Sequence, residues 1–145
     1  MTPGRGAPRT VLRTMGSLTR DRVGVLGVDD QVVFLDVARD VVAATPGFRW
    51  VGGAGSGKEA LDAVDELEPE FVLLDVRMPG MDGIETARLI SERHPEVLVV
   101  LISVEESPAM KPAIEGSGAA CLVRKQELRP AMLRRLWQAH GQTRD

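Results

Sequence analysis

One cysteine, Cys121, in 145 residues excludes an internal disulfide and fits a reducing, cytoplasmic setting. There are only two histidines, so no Cys/His cluster exists for a soft-metal centre. Tyrosine is absent. No apolar run approaches the roughly 20 residues needed to span a bilayer. Neither charge dominates: 18 Lys+Arg against 21 Asp+Glu leave a net −3, which makes no general case for nucleic-acid or membrane binding. What is present, 43% hydrophobic and 27% charged residues, suits the core of one ordinary globular domain.

The first residues differ in character. Residues 1–20 carry Arg5, Arg9, Arg13 and Arg20 with no acidic residue and no aromatic, and they lack the apolar middle of a secretory signal. They are expected to form a disordered basic leader, 1–21. A nucleic-acid-binding arm and a true start at Met15 are the alternatives. A domain over 22–140 and a short tail, 141–145, complete the expected organisation.

From residue 22 onward, apolar runs alternate with amphipathic stretches. Strands are expected at 22–28, 48–54, 71–76, 97–103 and 119–124, each short and almost wholly apolar. Helices are expected at 31–44, 58–67, 84–93 and 128–139, with a shorter one before Gly116-Ser117-Gly118. In the first helix Val33, Val37 and Val41 fall at helical spacing; in the second Ala60, Leu61 and Val64 do. Thr45-Pro46-Gly47, Pro69 and Pro95 stop the helices. This (βα)5 pattern implies an α/β fold: a parallel sheet with helices on both faces. A doubly wound, flavodoxin-like sandwich of strand order 2-1-3-4-5 fits, the order being one known for such folds. No repeat and no second domain after Ala139 are read.

In that order Asp29 and Asp30 end strand 1 and Asp75 ends strand 3, side by side at the edge where open α/β sheets bind ligands. Three converging carboxylates repel one another, and a divalent cation removes the conflict; hard oxygen ligands suit Mg²⁺. Ser103 ends strand 4 and offers a hydroxyl. Lys125 ends strand 5 and offers an ammonium. Phosphoryl transfer needs mainly positioning and charge neutralisation, and a carboxylate can serve as its nucleophile. Asp75, between the metal side and the lysine side, is the natural nucleophile. A lone strand-end Asp is ordinarily a turn residue or a helix cap; five such residues at the ends of four strands are a constellation.

These residues carry a family resemblance. Val28-Asp29-Asp30, Leu74-Asp75-Val76-Arg77-Met78-Pro79-Gly80-Met81-Asp82-Gly83, Leu101-Ile102-Ser103, and Gly118-Ala119 followed by Lys125 run in the order of response regulator receiver domains, over almost all of 22–139. LDVRMPGMDG is the specific stretch. Ser103-Val104, and a lysine not followed by proline, look most like receivers with a helix-turn-helix output domain, which is not read here. The resemblance implies that Asp75 is the phospho-acceptor, served by a histidine kinase or phosphotransfer protein. It implies that Asp30, Asp75 and the main-chain carbonyl of Arg77 ligate Mg²⁺, with Asp29 acting through water. Ser103 and Lys125 would bind the phosphoryl group, and Pro79 and Gly83 would shape the loop after the acceptor. Signalling would pass to an unidentified partner protein; neither membrane nor, without an output domain, DNA binding is expected.

Three positions depart from the family pattern. Val104 replaces a small residue and narrows access to Asp75. Leu122 stands where an aromatic switch residue is usual, so a rotating ring cannot be the signal. Pro112 follows Pro108 by four residues, where it would remove a helical hydrogen bond at a cost of about 3 kcal/mol. The fourth helix is therefore expected to be short and to start near Pro112, or to be irregular before it. The phosphate chemistry is expected to be kept and its read-out altered.

Other features read as structural. Gly52 to Lys58 spells the start of a P-loop, but Glu59 stands where Mg²⁺ chemistry needs Ser or Thr, so a glycine-rich turn entering the second helix is expected. His94 and His140 are expected to be solvated, Cys121 to be a small core residue, and Trp50 and Trp137 to pack core or rim. Arg124, Arg129, Arg134 and Arg135 read as a solvated face, with an acidic partner as the alternative.

Three other activities compete with a phosphorylated switch. One is an interaction module independent of phosphorylation. A second is an aspartyl phosphatase, opposed by Arg77 where a second carboxylate would be needed. The third is a regulator whose DNA-binding half is encoded separately. No enzymatic activity beyond Mg²⁺-assisted self-phosphorylation and slow dephosphorylation is expected.

Overall fold

The computed structural model describes residues 22–141. The expected leader, 1–21, and residues 142–145 of the expected tail lie outside them. The order is β1 (Val23–Val28), α1 (Val32–Ala43), β2 (Phe48–Ala54), α2 (Gly57–Leu67), β3 (Phe71–Asp75), α3 (Gly83–Arg93), β4 (Leu98–Ser103), a 3₁₀ turn (Pro108–Met110), α4 (Lys111–Gly116), β5 (Cys121–Arg124), a second 3₁₀ turn (Lys125–Glu127) and α5 (Pro130–His140). All strands pair in parallel in the order β2-β1-β3-β4-β5. Among the described residues no helix is long and apolar enough to cross a membrane.

β1, β3 and β4 are buried along their whole length, which is why they read as continuous apolar runs. Side chains alternate between faces. Leu73, Val100 and Ile102 pack with Ala38, Val42 and Leu133 under α1 and α5. Leu74, Val99 and Leu101 pack with Ala60, Val64, Ala87 and Ile90 under α2 and α3. The register places Leu74 beside Val28 and Asp75 beside Ile102, so that Asp29 and Asp75 emerge at one edge.

The helix starts follow local chemistry. Ser56 caps α2 by accepting the Glu59 N–H (3.1 Å), while the Glu59 carboxylate accepts the Gly55 N–H (2.8 Å). That is the use of the glycine-rich run preceding Lys58, as expected. Asp82 caps α3 through the Glu85 N–H (2.8 Å). Pro112 lies in the first turn of α4, where its missing N–H costs nothing, and Pro108 opens the 3₁₀ turn before it. The expected short fourth helix is thus borne out.

The face of α1 is a correction. Val33 and Val37 are 76% and 47% exposed, and the sheet is covered instead by Phe34, Ala38, Val41 and Val42. The charged stripe of Asp36, Arg39 and Asp40 lies opposite the buried face, and Val33 and Val37 border that stripe on the solvent side although they are apolar. Contact with the sheet selects the inward face, helped by Leu35, whose methyl reaches over Gly27 and Gly53.

Candidate phosphoryl-accepting site

The ends of β1, β3, β4 and β5 each deliver one part of a pocket of about 320 Å³. Beyond β1, the Asp29 carboxylate accepts the Gln31 N–H at 2.9 Å, a local turn that aims its second oxygen inward. That oxygen, Oδ2, lies 2.5 Å from Lys125 Nζ. Asp30 is exposed at the mouth. Asp75 is 6% exposed; its Oδ1 accepts the Arg77 N–H at 3.4 Å and its Oδ2 lies 3.6 Å from Lys125 Nζ. One oxygen from each of Asp29, Asp30 and Asp75 falls within 4.8 Å of the others. Ser103 is buried, and its Oγ accepts the Glu105 N–H at 3.2 Å. All the residues named from the sequence for this site therefore meet at one edge, with Val104 exposed at the rim.

Electrostatics follow from that crowding. Burial, reinforced by the charge of Asp29, pushes the Asp75 carboxyl from an ordinary 3.8 up to about 6; Lys125 and the Arg77 N–H pull it down, and Asp30 adds a small further rise. One ammonium facing three carboxylates leaves the pocket with surplus negative charge.

The loop after Asp75 turns back on glycine. Gly80 has φ +78, a conformation that favours glycine. The Gly83 N–H donates to the Val76 carbonyl (2.8 Å), and a Cβ on Gly83 would fall 2.0 Å from the Asp75 carbonyl oxygen. Gly83→Ala should therefore displace the backbone of Asp75 and lower stability by about 1–3 kcal/mol, the usual cost of overpacking. Urea denaturation checks this; an unchanged midpoint would show that the loop yields freely.

Three contacts were not anticipated. Lys125 Nζ sits over the Phe34 ring, 4.7 Å from its centroid. The Gln126 side chain donates to the Val104 carbonyl (3.3 Å), tying the β5–α5 turn to the β4–α4 loop. Glu105 and Gln31 join the pocket wall. Phe34 lies in the first turn of α1, four residues after Asp30.

Residues away from the pocket behave more plainly. His94 is partly exposed at the end of α3, with Nε2 2.8 Å from Asp65 Oδ1; His140 is exposed. Trp50 and Trp137 pack at the rim of the core. Arg124, Arg129, Arg134 and Arg135 are exposed. Cys121 is half-buried, and burial pushes its thiol up, away from reactivity. It edges a groove of about 980 Å³ between the Val104–Ile114 segment and β5, where Leu122 stands in place of an aromatic ring.

The geometry has parallels among known proteins. The response regulator GacA of Pseudomonas viridiflava is 37% identical over 98 residues, 68% of this chain and 46% of that protein. A protein-glutamate methylesterase/protein-glutamine glutaminase of Geobacter metallireducens is 37% identical over 107 residues, which is 31% of its length. The chain thus spans less than half the length of these curated relatives. Among solved structures, the receiver domain of NarL from Mycobacterium tuberculosis superposes with a TM-score of 0.72 at 30% identity, covering 80% of this chain and 97% of that one. The response regulator domain of Thermotoga maritima CheB gives 0.73 at 29%, covering 81% and 96%. The family model of the response regulator receiver domain matches residues 25–136. A parallel sheet of order 2-1-3-4-5, an acidic edge with its serine and lysine, and these matches make the chain a member of the response regulator receiver domain family.

Proposed function

We propose that this protein is a phosphorylated switch: Asp75 accepts a phosphoryl group from a histidine kinase or phosphotransfer protein, and the changed surface is read by a partner protein. Phosphorylation on aspartate by a kinase is the general role of receiver domains, and they bind Mg²⁺ through acidic residues. The observation that carries the reading to this chain is the convergence of Asp29, Asp30 and Asp75 with Lys125 in one pocket.

The donor set fits Mg²⁺: three hard carboxylates, over-anionic with a single lysine between them, and no soft ligand among them. Asp30, Asp75 and the Arg77 carbonyl would hold the ion directly and Asp29 through water. When bound, Mg²⁺ neutralises the carboxylates and the charge on the transferring phosphoryl oxygens. The protein's own groups do the rest. An ionised Asp75 oxygen forms the P–O bond as the donor's P–N bond breaks, and the imidazole nitrogen keeps the electron pair. Lys125 pairs with one phosphoryl oxygen, and the Ser103 hydroxyl donates to another. Val104 at the rim slows the approach of donors and of water alike. Leu122 cannot swing as an aromatic ring would, so the read-out runs through the Ser103–Glu105 loop and its Gln126 brace.

The test is incubation with acetyl phosphate, with and without Mg²⁺, followed by intact-mass measurement. The expected result is one added phosphoryl group, only with Mg²⁺. No addition would overturn the reading and leave an interaction module that works without phosphorylation.

A further inference from the structure

Lys125 has a neighbour that the phosphoryl chemistry does not account for. It leaves β5, at the outer edge of the sheet, through a 3₁₀ turn, and its ammonium must reach Asp29 at the end of β1, with β3 and β4 lying between. A lysine side chain is long and flexible, and two acidic oxygens at 2.5 and 3.6 Å do not by themselves fix its path. The Phe34 ring supplies the missing wall. It is half-buried, anchored on the core beneath α1, and Lys125 Nζ lies over its face at 4.7 Å. A ring face attracts an ammonium without consuming any of its N–H donors. All three donors of Lys125 therefore stay available for carboxylate and phosphoryl oxygens.

We propose that Phe34 is a positioning residue: through the face of its ring it holds the Lys125 ammonium inside the pocket, directed at Asp29 and Asp75. The consequence for phosphoryl transfer rests on the function proposed above; the placement of Lys125 does not. In a chain without tyrosine and with leucine at position 122, the aromatic contribution to this site comes from α1 and acts on the lysine.

Site-specific incorporation of phenylalanine bearing one, two and three fluorines at position 34 drains the ring face while nearly keeping its shape. The companion variants are Phe34→Leu and Phe34→Trp. In the metal-free protein, NMR should show the Lys125 ε-methylene protons shifted upfield by the ring, a shift lost in Phe34→Leu. With Mg²⁺ and acetyl phosphate, the phosphorylation rate should fall stepwise with each fluorine and by about three- to tenfold in Phe34→Leu, and be kept in Phe34→Trp. A missing ring-current shift overturns the proposal. So does a rate indifferent to fluorine number, since a ring that only fills space would give a flat series. If the native protein takes up no phosphoryl group, the proposed function fails separately, and the NMR series alone decides: a Lys125 signal that drifts with fluorine content supports the contact, and an unmoved one refutes it.

Discussion

Asp75→Asn is expected to take up no phosphoryl group from acetyl phosphate and Mg²⁺, under conditions where the native protein is labelled. An amide has no ionised oxygen to form the P–O bond, so the loss should be complete and not graded. The neighbours cannot substitute. Asp29 is 1% exposed, with one oxygen held by the Gln31 N–H and the other facing Lys125. Asp30 is exposed at the β1 end of the pocket, on the side the proposed function gives to the metal. Asparagine keeps the size of the side chain and leaves the Lys125–Asp29 pair in place, so circular dichroism should be unchanged. Intact mass followed by peptide mapping checks the result; label persisting in Asp75→Asn, mapped to Asp30, would move the acceptor and sink the assignment.

The sequence disclosed whatever depended on residue type at a strand end, and concealed whatever depended on the path of a loop or a side chain. Asp29, Asp30, Asp75, Ser103 and Lys125 were legible because parallel strands deliver all their carboxyl ends to one edge. Pro112 was legible because proline's missing N–H permits few places in a helix. The inward face of α1 was only partly legible: Val41 packs on the core, but Val33 and Val37, read with it at helical spacing, border the charged stripe of Asp36, Arg39 and Asp40 and face solvent. The fifth strand was expected from 119 and begins at Cys121: Ala120 still donates to the Val99 carbonyl, but the Gly118 turn at φ +84 delays regular pairing. The 3₁₀ turn at Lys125–Glu127 fills the stretch left unassigned between the fifth strand and the last helix, expected from 128; it carries Lys125 toward Asp29, and no periodicity marks so short an element. Phe34 over Lys125 and Gln126 on Val104 are consequences of that turn, and so were hidden with it.

The same Asp75→Asn variant should make the metal-free protein more stable at neutral pH and above, an advantage that fades as the pH falls through about 6 toward 4. The folded-state pKa of Asp75, about 6, lies above its unfolded value near 3.8. Well below pH 3.8 both states hold the proton and the site carries no penalty. Between about 4 and 6 the unfolded chain releases its proton while the folded chain retains it, so the folded state binds more protons and stability falls as pH rises. Above about 6 the full penalty is in place. A rise of about two units corresponds to on the order of 3 kcal/mol, which asparagine, carrying no charge, escapes. Urea denaturation in EDTA should therefore place Asp75→Asn well above the native protein at pH 7.5 and level with it near pH 4. Adding Mg²⁺ should narrow the gap at pH 7.5, because a ligand of the folded state stabilises the native protein by mass action, and the variant has lost one of the carboxylates that would hold it. Equal stability of the two proteins at pH 7.5 without metal would mean that neither burial nor the neighbouring carboxylates penalise an ionised Asp75. A cation would then have no penalty at Asp75 to relieve.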